Sequence, residues 1–233
     1  MQYKLNKKLE KYEKLWNEAV AAFDQGEPRI DSHLLNKAQD LRRSVVLVYR
    51  PSALVQGALV EYIERLKQVC PEQYFYRPEE LHLTIMAIFS GTEQWQKEME
   101  RVPKCQQILQ ELLKLQSPFK VKFRSVTASQ DSVMVRALPL DDSLEVIRNA
   151  IREVFVRNGL GDMLDRRYKA FGAHVTIMRF SKPCPNSKRL LEFLKETRET
   201  DFGKCEVSTL ELNWADWYAS AETARTLEKY QLR

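Results

Sequence analysis

Along the first two dozen residues apolar positions return every three or four: Leu5, Leu9, Tyr12, Trp16, Val20 and Phe23. That spacing gathers side chains on one face of an α-helix, so a helix is predicted over 5–24. Gly26-Glu-Pro28 ends it, and the chain to about Asp40 shows neither helical nor strand periodicity. Ser44 to Tyr49 reads as a short strand rich in β-branched residues, closed by Pro51. Val55, Leu59, Tyr62, Ile63 and Leu66 mark a second helix, and Leu81–Phe89 a second strand. Ile108, Leu109, Leu112 and Leu115 predict a helix after Pro103.

Phe119–Thr127 and Ser132–Leu138 predict a hairpin that turns through Ser129-Gln-Asp-Ser132. Leu144, Ile147, Ile151, Val154 and Phe155 form the most regular helical stripe, stopped by Asn158-Gly159. A strand over Gly172–Phe180, a helix near Asn186–Thr197, and strands at Cys205–Trp214 and about Thr223–Tyr230 complete the series. Strands and helices mix without a strict βαβ rhythm, which predicts an α+β fold with largely antiparallel sheet.

Within this pattern one short repeat stands out. The chain has three histidines, and two of them head the same pentapeptide: His82-Leu-Thr-Ile-Met86 and His174-Val-Thr-Ile-Met178. Both lie in predicted strands, 92 residues apart, the spacing expected if each belongs to one half of a two-lobed protein. Alternate residues of a strand share a face, so His82 projects with Thr84 and His174 with Thr176. Leu83, Ile85, Val175 and Ile177 face the other way, toward a core. Strict alternation places Arg179 opposite His174 unless a bulge intervenes.

Two imidazoles and two hydroxyls in one cleft suit phosphodiester cleavage. In-line attack needs a base for the nucleophile and an acid for the leaving oxygen, and histidine serves as either near neutral pH. Threonine hydroxyls donate to non-bridging phosphate oxygens, and such charge-assisted bonds are worth about 1.5–3 kcal/mol. A packing explanation covers a single H-x-T strand; two copies that use two of three histidines are harder to ascribe to packing.

Composition adjusts this picture little. At 233 residues and 44% hydrophobic the chain can bury a real core, and its net charge of +5 arises from basic residues interleaved with acidic ones. That balance fits a small anionic ligand and gives no stripe for stable duplex binding. The charged start and the lack of a long apolar run predict a soluble, cytoplasmic protein with no membrane span. Cys70, Cys105, Cys184 and Cys205 form no C-x-x-C pair, so reduced thiols are expected and a zinc site is not.

The paired H-x-T motifs resemble the 2H phosphoesterase superfamily, which includes 2′-5′ RNA ligase-like proteins and cyclic phosphodiesterases. The resemblance runs from about Ser44 to the C-terminus. It implies a bilobal, pseudo-twofold α+β fold, with two largely antiparallel sheets facing a central cleft and helices outside. Residues 41–233 would form this domain and 1–40 an N-terminal helical extension. It also implies His82 and His174 as the acid–base pair and Thr84 and Thr176 as phosphate ligands. No cofactor or metal is implied. The substrate would be a nucleotide or RNA end, carrying a 2′,3′-cyclic phosphate or a 2′,5′ linkage.

Weaker candidates flank both motifs. Tyr74 and Tyr76 precede the first and either stack on a base or join the core; Arg166, Arg167, Tyr168 and Lys169 precede the second and either meet phosphate or form a solvated loop. Trp214 and Trp217 either line a lobe edge or pack, and His33 reads as a surface residue. Two other functions compete: a nucleotide-binding module without turnover, and a mutarotase-type acid–base enzyme acting on a sugar. Binding alone needs no pair of proton-transfer groups, and the strand-borne threonines favour an anionic substrate over a sugar.

Overall fold

The structure, a computed structural model, describes residues 2–166, 169–170 and 172–233, with the backbone alone for residues 2–9. Among the described residues, nine strands fall into two sheets whose ladders are all antiparallel. One sheet contains β1 (Arg43–Tyr49), β3 (Leu83–Thr92), β8 (Thr209–Asp216) and β9 (Arg225–Gln231), in the order β3-β1-β8-β9. The other contains β2 (Tyr74–Phe75), β4 (Phe119–Ser129), β5 (Ser132–Pro139), β6 (His174–Arg179) and β7 (Asp201–Val207), in the order β2-β6-β5-β4-β7. Each H-x-T pentapeptide therefore belongs to a different sheet, and β3 and β6 touch. The α+β, two-sheet expectation holds.

Helices close the core. α5 (Val102–Leu113) and α6 (Ser143–Arg157) pack together and reach the four-stranded sheet at β9 and β3. α3 (Ala53–Val69) lies against β7, and α1 (Gln2–Asp24) lies against β4 and α7 (Ser187–Glu196). The predicted stripe on α3 is buried in full, and on α1 Tyr12, Trp16 and Phe23 are buried. Phe23 meets Phe180 edge to face at 5.2 Å, and its carbonyl accepts from Ser187 Oγ at 2.9 Å.

Four local expectations are corrected. The strand expected over Cys205–Trp214 is two, β7 and β8, in different sheets; the alternation slips by one residue at Ser208-Thr209, from Cys205 and Val207 to Leu210 and Leu212, and the chain changes sheet there. α5 starts at Val102, with Pro103 inside its first turn where a missing N–H costs nothing, and Leu115 lies beyond its end, 76% exposed. The irregular stretch to Asp40 holds a short helix, α2 (Ser32–Leu35), and a 3-10 turn at Lys37–Gln39, and α4 (Trp95–Met99) adds a further short helix that periodicity does not reveal. Cys70 and Cys184 are not free thiols: they form a disulfide with Cα atoms 6.5 Å apart, while Cys105 and Cys205 are free. The two-residue ladder between β2 and β6 brings the end of α3 beside the loop after β6, a proximity that cysteine spacing cannot register.

Candidate active site

The two motifs adopt the same local backbone. β1 pairs Leu47 with Met86 and Val48 with Thr84, so Ile85 is an extra residue in β3. β5 pairs Val133 with Met178 and Met134 with Thr176, so Ile177 is the extra residue in β6. Each copy thus carries a β-bulge at its isoleucine. Up to the bulge alternation holds: Leu83, Ile85, Val175 and Ile177 are buried, whereas His82, Thr84, His174 and Thr176 keep partial exposure. After it both methionines turn inward and the next residue turns to the histidine's face. That residue is Ala87 in the first copy and Arg179 in the second. The bulge is the condition under which Arg179 joins His174 and Thr176.

Each imidazole is anchored through Nδ1. His82 Nδ1 lies 2.6 Å from the Glu80 carbonyl oxygen. A carbonyl only accepts, so this bond assigns the proton to Nδ1 and leaves Nε2 free for a substrate. The buried Glu80 side chain fixes this turn, accepting from Arg77 N at 2.9 Å, Arg77 Nη2 at 2.9 Å and Ala221 N at 3.0 Å. His174 Nδ1 lies 3.1 Å from the Tyr12 hydroxyl. Among the described residues, the Thr84 and Thr176 hydroxyls have no hydrogen-bond partner, which leaves both available to a ligand.

Burial pushes both imidazoles down to about 4, because the surrounding protein disfavours the charged ring. For His82 the Glu80 bond works against this, and the positive charges of Arg50 and Arg179 reinforce it. For His174 the reinforcing charges are Arg179, Arg148 and His82 itself, which places the two rings within reach of each other's field. Both rings are neutral at pH 7 with the cleft empty.

Two arginines missed as site residues complete the arrangement. Arg179 Nε donates to Tyr76 Oη at 3.0 Å, and the buried Tyr76 ring stands in the chain just after β2, which pairs with β6. Arg148, 2% exposed on α6, ties the motifs together. Its Nε donates to Ile85 O at 2.7 Å, and its Nη2 donates to Thr84 O at 3.1 Å and Gly172 O at 2.8 Å. Glu145 on the same helix supplies a carboxylate at 3.3 Å. A signal for Arg148 exists in the sequence: it lies on the apolar stripe of α6, between Leu144 and Ile151, where a charge needs a buried partner.

The weaker candidates separate. Tyr76 joins the cluster through Arg179, and half-buried Tyr74 packs edge-on to it at 5.2 Å, with Lys37 4.9 Å above the Tyr74 ring. Arg166 donates to Glu98 at 2.6 Å and to the Asp162 carbonyl at 2.6 Å, so acidic neighbours engage it. Arg167 and Tyr168 lie outside the described residues. Trp214 packs on Trp95 at 5.6 Å, Trp217 stacks under Arg42 at 5.2 Å, and His33 is an exposed residue of α2. Among the described residues no group of three or more His, Cys, Asp or Glu could hold a metal, and no helix is long and apolar enough to cross a membrane.

Solved structures share this architecture. TT0787 of Thermus thermophilus is similar with a TM-score of 0.60 and 19% identity, covering 82% of this chain and 98% of that one. E. coli LigT, crystallised with 3′-AMP, is similar with a TM-score of 0.56 and 13% identity over the same shares. A third structure described as a phosphoesterase gives 0.55 and 14%, again over those shares. At such identities the likeness is one of fold. No curated protein matches the chain. Residues 29–220, with both pentapeptides and their bulges, match the family described as AKAP7 2′5′ RNA ligase-like domain, and the chain belongs to that family, within the 2H phosphoesterase superfamily.

Proposed function

We propose that this protein is a phosphodiesterase that acts on a 2′,3′-cyclic phosphate or a 2′,5′-linked nucleotide or RNA end through two-histidine acid–base catalysis without a metal. The observation that carries this reading is the duplicated bulged strand, which gives each lobe a histidine and a threonine on one face. E. coli LigT has been crystallised with 3′-AMP, phosphate, ATP and NADP+, which supports a nucleotide as ligand of this cleft.

On a cyclic phosphate, Nε2 of one neutral imidazole takes a proton from water as its oxygen bonds to phosphorus. The opposite P–O bond breaks, and the ribose oxygen that leaves takes a proton from Nε2–H of the other imidazole, present as imidazolium. The Thr84 and Thr176 hydroxyls and the Arg179 guanidinium donate to the non-bridging oxygens, where charge accumulates. The substrate's negative charge raises the proton affinity of a ring that is neutral in the empty cleft. The pH profiles therefore differ. The alkaline limb of kcat/KM, which reports the free enzyme, lies at lower pH than that of kcat, which reports the complex.

The deciding experiment is hydrolysis of the four nucleoside 2′,3′-cyclic phosphates and a 2′,5′-linked dinucleotide in EDTA. Turnover that survives EDTA and vanishes in His174→Ala supports the reading. Nucleotide binding with no turnover on any member sinks it in favour of a binding module, and neither binding nor turnover reopens the sugar reading.

A further inference from the structure

Tyr12 stands on α1, before the stretch that matches the family, and yet its hydroxyl reaches the second motif. It donates to the Ala173 carbonyl at 2.9 Å and lies 3.1 Å from His174 Nδ1. With the phenol proton committed to a carbonyl, the phenol oxygen accepts from Nδ1–H of His174. The phenol ring is buried and stands edge-on to the imidazole, centroids 6.1 Å apart at 89°. The guanidinium of Arg136, which pairs with His174 across β5 and β6, lies 5.3 Å over the phenol ring and holds it from the other side. The backbone makes room for it: a Cβ at Gly172 would collide with the Tyr12 hydroxyl and ring.

We propose that Tyr12 is a positioning residue for His174. Its oxygen keeps the proton on Nδ1 and orients the ring so that Nε2 meets the phosphodiester. Tyr12 makes and breaks no bond itself; the proton moves at Nε2. The inference rests on the phosphoesterase reading, and it makes α1 a working part of the site. The groups that face His174 are Tyr12 from α1, His82 from just before β3, Arg136 from β5, Arg148 from α6, and Arg179 from its own strand. Tyr12 alone among these offers an oxygen to Nδ1 in this arrangement. A bond to an imidazolium is stronger than one to a neutral ring, so its loss lowers the proton affinity of His174.

The test is Tyr12→Phe in the full chain, which keeps the ring and removes the oxygen. On the best substrate of the panel kcat is expected to fall about 10- to 100-fold with KM within about twofold. One limb of the kcat profile, the one His174 controls, shifts to lower pH while the other stays. In 15N NMR of the substrate-free protein, His174 loses its fixed Nδ1–H tautomer and His82 retains its own. Unmoved kinetics and an unchanged His174 tautomer overturn the proposal. So does a loss of rate that merely tracks the folded fraction while the tautomer persists. If the wild-type protein hydrolyses nothing on the panel, the phosphoesterase reading fails, and the NMR measurement still decides the role of Tyr12.

Discussion

In the first lobe a main-chain carbonyl two residues upstream holds His82; in the second a phenol 162 residues away in sequence holds His174. The first lobe has Ala87 after its bulge, and the second has Arg179. Backbone geometry and the histidine–threonine pair are thus repeated, while anchoring and charge are not. Symmetric chemistry would need only the repeated part. The unrepeated part makes the two halves of the cleft unequal: Arg179 stands on the strand of His174, while Arg148 bonds carbonyls of both motifs and Arg50 adds its charge near His82. Under the proposed phosphodiesterase function, the attacking and leaving oxygens would therefore meet different surroundings, and a twofold frame could distinguish the two ends of an asymmetric substrate.

The sharpest way to break this comparison is to remove each histidine in turn. His82→Ala and His174→Ala should each lower kcat by about 10²- to 10⁴-fold on the preferred substrate, with the protein still folded by circular dichroism. Near-normal turnover in either mutant would mean that one lobe serves only as scaffold. Next in size is Arg148→Met, which removes the link between the motifs and its three hydrogen bonds to the carbonyls of Thr84, Ile85 and Gly172. Its cost to folding should be on the order of 3–5 kcal/mol, read from urea denaturation. A change below about 1 kcal/mol would show that each motif holds its position without the other.

Arg179→Ala sharpens the comparison, since it gives the second lobe the residue found in the first. The expected loss in kcat/KM is about 10- to 100-fold, corresponding to one charge-assisted contact. A double variant, Ala87→Arg with Arg179→Ala, moves the charge to the other lobe and should exchange the order of preference between the 2′- and 3′-leaving oxygens. An unchanged preference would show that the arginine does not set substrate polarity.

The candidate site is legible in the sequence before its geometry is. His82, Thr84, His174 and Thr176 are readable because a strand has period two and the same five residues occur twice. The bulges are also written there, in the consecutive apolar pairs Ile85-Met86 and Ile177-Met178 that break alternation, but two apolar neighbours also occur in strands buried on both faces. Tyr12 reads as one of six core residues on a helix, because periodicity assigns a face and says nothing of what the hydroxyl at its rim touches. Arg148 escapes on the same ground, as a polar interruption of an apolar stripe. The disulfide depends on a two-residue strand, β2, too short to leave any pattern. The crossing between β7 and β8 leaves only a one-residue slip of the alternation at Ser208-Thr209, which a bulge inside one strand would leave as well. What local periodicity fixes is recoverable, and what depends on contact between distant segments is not.

The smallest expected effect concerns stability rather than rate. Both imidazoles have proton affinity lowered by folding, from 6.5 to about 4. Between those values the unfolded chain binds protons that the folded chain refuses, so the contribution is fully present above pH 6.5 and is lost as pH falls toward 4. The carboxylates whose acidity rises on folding, such as Asp131 and Glu211, act in the same direction but lower on the scale, below the ordinary carboxylate range. A denaturation series from pH 7 to 5 therefore isolates the histidines, with stability expected to decline on acidification. His82→Gln and His174→Gln should each flatten that decline in part, and together they should remove most of it. Both rings keep some contact with the cleft, so solvent tempers the effect. An unequal pair of slopes would show which lobe presents the drier imidazole. A flat wild-type series would mean that water reaches both rings freely, and the mechanism would then have to start from one imidazole already protonated near pH 6.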